Sequence, residues 1–73
     1  DIKIIAKYYL DSLCSGVILA HNHPSGNLKP SIQDETITMI IKDALNLIEV
    51  TVLDHLILTS VSYYSFKDEG NIL

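Results

Sequence analysis

Val17-Ile18-Leu19-Ala20-His21-Asn22-His23-Pro24-Ser25-Gly26 is the stretch whose reading decides the fold. Its first four residues form a short, unbroken apolar run, the pattern of a strand covered on both faces rather than one half-exposed to water. The run ends on two histidines one residue apart, and the proline and glycine after them stop regular structure. A strand over 17–21 therefore carries its histidines at its carboxyl end. Upstream, Ser15-Gly16 separates this strand from Ile2, Ile5, Ala6, Tyr9, Leu10 and Leu13, whose spacing predicts a helix over 2–13. Asp1 suits the positive end of that helix's dipole.

Downstream, residues 24–30 hold two prolines, a glycine and an asparagine and read as a loop. Ser31 opens a second helix, in which Ile37, Ile40, Ile41, Ala44, Leu45 and Ile48 repeat the amphipathic pattern and leave Lys42, Asp43 and Asn46 to water. Val50 to Thr59 is rich in β-branched and aliphatic residues and predicts a second strand, interrupted by the polar pair Asp54-His55. Ser60 to Ser62 turns the chain into a third strand, Tyr63 to Phe66. The expected fold is α/β, a sheet flanked by helices in the order helix, strand, helix, strand, strand. Strand 17–21, its crossover helix and strand 50–59 make a right-handed βαβ unit if the strands are parallel neighbours, and the last strand returns antiparallel. In α/β proteins, ligands sit at the carboxyl ends of parallel strands, which is where His21 and His23 fall.

Seventy-three residues make one domain at most, and a chain this short buries only about 60% of the surface it would expose unfolded. A composition of 48% hydrophobic and 19% charged residues is nonetheless that of a globular core. The lone Cys14 excludes an intrachain disulfide, so extra stability must come from a metal or a partner surface. Cys14 itself reads as a packing residue. One free cysteine, no secretory leader and no long apolar run predict a cytoplasmic protein without a membrane span. Five lysines, no arginine and nine acidic residues give a net charge of -4. That is the wrong sign for a surface that must neutralise phosphates, so direct nucleic-acid binding by this segment is not expected.

His21 and His23, two residues apart, face one side of an extended chain and can share a ligand. Asp34, at the start of the next helix, can supply a third donor, and three protein ligands with an open corner are the arrangement of hydrolytic zinc sites. The plainer alternative is two loop-edge histidines, with Ser31-x-x-Asp34 serving as a helix capping box. The two readings are compatible for Asp34, because a first-turn carboxylate can point back toward the preceding strand. Asp54 and His55, adjacent on a strand, lie on opposite faces and cannot both face a metal. For His55 the simpler expectation is a buried ring hydrogen-bonded to backbone, against a role holding a ligand in one tautomer.

The string HNHPSGNLKPSIQD, with His21-x-His23, seven residues, Ser31, two residues and Asp34, resembles the zinc motif of the JAMM (MPN+/JAB) metalloprotease superfamily, and specifically its RadC branch. SGVILAHNHPSG, VLDHLILTS and YYSFKDEGNIL are also similar to the second half of a RadC domain. This resemblance implies a partial JAB/MPN-like, cytidine-deaminase-like fold over residues 1–73 without the first strands. It implies zinc ligation by His21, His23 and Asp34, with Ser31 polarising or positioning the oxyanion during amide hydrolysis of a peptide or isopeptide. The superfamily's general base is a glutamate on a strand well upstream of the histidines, and no glutamate precedes His21 here. Glu35 points roughly 100° away from Asp34 on the same helix.

Three functions follow as expectations: a zinc-dependent hydrolase module, a non-catalytic truncated scaffold, and a DNA-repair-associated accessory protein, the last because the RadC branch carries a DNA-repair label. Missing strands would leave a sheet edge that pairs with its own copies, so homo-oligomerisation is expected as well.

Overall fold

A computed structural model of the chain describes residues 3–9 and 15–73. The predicted central unit is present. Strand β2 (Ser15–Asn22) leads through the loop into helix α1 (Ile32–Asn46), which returns the chain to strand β3 (Val50–Leu58), parallel to β2. Strand β4 (Tyr63–Ser65) then pairs antiparallel with β3. Phe66, expected as the last residue of that strand, lies just beyond it but still donates its N–H to the His55 carbonyl at 3.0 Å.

The helix expected over 2–13 is not formed where it can be observed: Lys3–Tyr9 is strand β1, antiparallel to β2. The rest of that expectation, with Cys14, lies outside the described residues. A local irregularity hides this strand in its sequence. The register pairs Ile4 with Leu19 and Ala6 with Ile18, skipping Ile5, and such a bulge breaks the two-residue alternation that would have marked a strand. The Ile and Tyr content of KIIAKYY suits a pleated surface, and pairing with β2 selects that state over a helix. Among the described residues the element order is therefore strand, strand, helix, strand, strand, and the sheet is four-stranded in the order β1-β2-β3-β4. Among the described residues one helix, not two, covers it.

Helix α1 begins as its sequence demands. The Ser31 hydroxyl accepts from the Asp34 N–H at 3.0 Å, and the Asp34 carboxylate accepts from the Ser31 N–H at 2.8 Å, a complete capping box. Its buried face differs from the expected one. Ile41 and Leu45 pack on a core of Val17, Leu19 and Val52, together with Val50 and Leu73. Thr38, one turn before Ile41, is fully buried, whereas Ile37, Ile40 and Ile48 are exposed. The stripe Asp34, Thr38, Ile41, Leu45 faces the sheet, one step round the helix from the stripe richest in isoleucine. A buried threonine is tolerated there because its hydroxyl is fully engaged by a main-chain carbonyl and a histidine ring.

A second register shift sits in β3. Val17 pairs with Val52 but Ile18 pairs with Asp54, so Leu53 is skipped. After it, Leu19 pairs with His55 and His21 with Ile57. Paired residues of neighbouring strands share a face, so His55 is carried to the side of Leu19 and His21. No helix among the described residues is long and apolar enough to cross a membrane.

Candidate metal centre

The loop after β2 is short of regular structure but not of internal bonds. Pro24 biases His23 toward extended backbone, and the His23 N–H donates to the Leu58 carbonyl at 2.9 Å, so His23 continues the strand by one more residue. The chain then reverses at Gly26, whose φ of +84° is one that L side chains rarely adopt. The turn brings the Asn27 carbonyl oxygen to 2.7 Å from His23 Nδ1.

His21 Nε2 and His23 Nε2 consequently lie 3.0 Å apart. Asp34 reaches them from the first turn of α1, with Oδ1 3.2 Å from His21 Nε2 and Oδ2 3.2 Å from His23 Nε2. One ligand-type atom from each of the three residues lies within 4.8 Å of the others. Zinc bonds of about 2.0–2.1 Å in a tetrahedron put neighbouring ligand atoms about 3.3 Å apart, so two imidazoles and a carboxylate at this spacing fit zinc in chemistry and in geometry.

Behind the three donors is a shell of buried polar groups. His21 Nδ1 is 2.9 Å from His55 Nε2, and His55 Nδ1 is 2.6 Å from Thr38 Oγ1. Thr38 Oγ1 donates in turn to the Asp34 carbonyl oxygen at 2.6 Å. The His55 ring stacks on Phe66 with centroids 4.7 Å apart and an interplanar angle of 8°. Both of its nitrogens meet side chains, which corrects the expectation of backbone partners. Asp54 faces elsewhere: its carboxylate accepts from Ser65 Oγ at 2.6 Å and from the Lys67 N–H at 3.1 Å, tying β3 to the C-terminal turn.

These surroundings shift the protonation equilibria. Burial pushes the His21 ring below the ordinary histidine value of 6.5; Asp34 opposes this and His23 adds to it. His55 is pushed down to about 4, first by burial and then by the neighbouring His21. Burial alone would raise the Asp34 carboxyl, but the N–H and hydroxyl of Ser31 and the two histidines together hold it below 3.8. Near neutral pH, His21 and His55 are thus uncharged and Asp34 is ionised, the states a metal site needs of its ligands.

Of the sequence-predicted residues, His21, His23 and Asp34 converge, and Ser31 sits beside them as the cap partner of Asp34. Glu35 does not join them: its Oε2 accepts from Asn71 Nδ2 at 3.0 Å. Glu49 lies at the other end of β2, where its carbonyl accepts from the Ser15 N–H. Sequence reasoning missed Thr38 and Asn27. The signal for Thr38 was a polar residue four positions after a candidate ligand, on the helix face that must meet the sheet.

A family model described as a RadC-like JAB domain matches residues 1–71. The chain belongs to the RadC-like JAB domain family. Among its relatives, a UPF0758 protein of Flavobacterium johnsoniae is 50% identical over 70 residues, covering 96% of this chain and 31% of the relative. A UPF0758 protein of Herminiimonas arsenicoxydans is 47% identical over 68 residues, covering 93% and 30%. One of Streptococcus sanguinis is 39% identical over 69 residues, covering 94% and 30%. This RadC-like chain therefore spans about a third of the length of the curated relatives it matches.

The RadC-like site borders a cleft of about 530 Å³ lined by His21, Asp34, Gln33 and Thr36 together with Ile32, Ile37 and Ile41. Isoleucine and polar side chains alternate in its lining, a mixture found in many ligand sites.

Proposed function

We propose that this RadC-like domain is a zinc-dependent hydrolase module acting on an amide or isopeptide bond. The observation that carries the reading is the convergence of His21, His23 and Asp34, with donor atoms 3.0–3.2 Å apart at the carboxyl end of a parallel strand. When bound, zinc supplies a Lewis acid and lowers the pKa of a coordinated water. Within the chain, His21, His23 and Asp34 would hold the ion. Ser31, at the N-terminus of α1, would steady an oxyanion there, where the helix already favours negative charge. The apolar wall of the cleft would seat the acyl side of the substrate and exclude water from it.

Amide hydrolysis also needs a base to take a proton and return it to the leaving amine. Glu35 is engaged by Asn71, so we assign this role to a residue outside these 73 positions, within the length that the relatives have and this chain does not span.

The test is metal analysis of the full gene product purified without chelators, followed by incubation with peptide and isopeptide substrates. About one zinc per chain with cleavage is expected. No zinc, and no thermal shift when zinc is added, refutes the proposal. Bound zinc without cleavage would favour the alternative of a metal-stabilised scaffold, to which the diversion of Glu35 toward Asn71 already lends some support.

A further inference from the structure

A neutral imidazole has one N–H and one bare nitrogen, so a contact that fixes the role of either nitrogen fixes the other. The chain of contacts behind His21 can be followed in that way from a group whose role is unambiguous. The Asp34 carbonyl oxygen only accepts, and Thr38 Oγ1 lies 2.6 Å from it, so the single hydroxyl proton of Thr38 is committed there. Toward His55 Nδ1, also 2.6 Å away, the hydroxyl must then accept, which places the His55 proton on Nδ1. His55 Nε2 is bare and can only accept from His21 Nδ1 at 2.9 Å, so the His21 proton is on Nδ1 as well. What is left on His21 is a bare Nε2 facing Asp34 and His23. His23 reaches the same state independently, because its Nδ1 meets the Asn27 carbonyl, which only accepts.

We propose that Thr38 and His55 are positioning residues that lock His21 in the Nδ1–H tautomer, so that its Nε2 is held ready for a metal ion before one arrives. The inference rests on the reading of His21, His23 and Asp34 as a zinc site. It adds that the relay starts at the main-chain carbonyl of a ligand and ends on the ring of another, so helix α1 governs two ligands at once. The arrangement has a cost that supports it. Two bare nitrogens 3.0 Å apart, each 3.2 Å from a carboxylate oxygen, repel one another unless a cation lies among them. Transfer of the His21 proton to Nε2 would relieve that repulsion by donation to Asp34. Opposing it, the reversed relay would turn the Thr38 proton to His55 and leave Thr38 Oγ1 and the Asp34 carbonyl oxygen, both acceptors, facing each other at 2.6 Å in a buried site.

The experiment uses the full gene product labelled with 15N-histidine. Two-bond 1H–15N spectra of the metal-free protein read each ring's tautomer, and competition against a chelator of known affinity reads the zinc Kd. His21 and His55 should both show Nδ1–H in the wild type. Thr38→Val, similar in volume but without the hydroxyl, should give mixed tautomers and weaken zinc binding about 10–100-fold, the usual cost of losing an outer-shell partner. Thr38→Ser should recover both. A His21 proton on Nε2 in the metal-free wild type, an unchanged Kd in Thr38→Val, or no recovery in Thr38→Ser overturns the proposal. The wild-type spectrum decides the tautomer even if Thr38→Val fails to fold. A wild type that shows the Nδ1–H pattern but binds no zinc refutes the zinc site and leaves the relay standing, whereas zinc bound with the other tautomer does the reverse.

Discussion

Lowering the pH of the metal-free protein should unfold it earlier than its carboxylates alone would dictate, and His55 is the reason. The ring is fully buried and its pKa is pushed from 6.5 to about 4. A base whose folded pKa is depressed binds its proton more readily in the unfolded chain, so the unfolded state gains protons first as the pH falls. The stability associated with a neutral His55 is therefore complete above pH 6.5, declines between 6.5 and about 4, and is gone below that. At about 1.4 kcal/mol per pH unit, the interval amounts to about 3 kcal/mol, against a net stability of roughly 5–15 kcal/mol for an ordinary domain. His21 is shifted in the same direction and adds to the slope in the same window. Asp34, held below 3.8, gives up its contribution only at lower pH. Urea unfolding in the presence of a chelator, repeated from about pH 7.5 to about pH 4.5, measures the slope. His55→Gln, which keeps an acceptor for His21 but cannot titrate, should flatten it by about one proton. Equal slopes in the two proteins would refute the reasoning. If the variant does not fold, NMR titration of the His55 ring in the wild type measures the depressed pKa directly.

Ser31→Ala and Asp34→Ala should each remove the capping box and cost about 1 kcal/mol of stability in metal-free urea unfolding. Only Asp34→Ala should also abolish zinc uptake in a metal-content assay. Phe66→Ala empties a fully buried site and unstacks His55, and should cost about 3–5 kcal/mol, read from the same unfolding curves. Gly26→Ala meets no atom within 4 Å, so any loss comes from its φ of +84° alone. A penalty of about 1–2 kcal/mol is expected, accompanied by weaker zinc binding as Asn27 is displaced from His23.

The β2-α1-β3 unit was legible because its signals are local. An unbroken apolar run, a proline and glycine loop, and a cap with a helical repeat each act within a few residues. Residues 3–9 are not legible as a strand because the skipped Ile5 hides the alternation and because pairing with β2, not local pattern, makes them one. The facing of α1 was displaced by one stripe for a related reason: counting isoleucines favours Ile37 and Ile40, whereas the sheet meets the side on which Asp34 and Thr38 stand. The candidate trio could be picked out because spacing places two histidines at a strand end and an aspartate at a helix start, and because the string resembles the RadC zinc motif. Its support could not, since the bond between His55 and His21 spans 34 positions and depends on the register of β3.

The residue skipped in that register, Leu53, sets how the site tolerates change. Side chains alternate along a strand, so a regular ladder that paired Leu53 with Ile18 would set Asp54 opposite Leu19, on the side of His21, and turn the His55 imidazole to the other face. Insertions in the loop over 24–30 would lengthen a surface excursion, whereas losing the bulge while keeping Leu53 would rewire the site without touching any of the three candidate ligands. Comparing homologous chains by the register of this strand, and not only by identity at the histidines, is thus a way to tell which copies of the domain keep an imidazole behind His21.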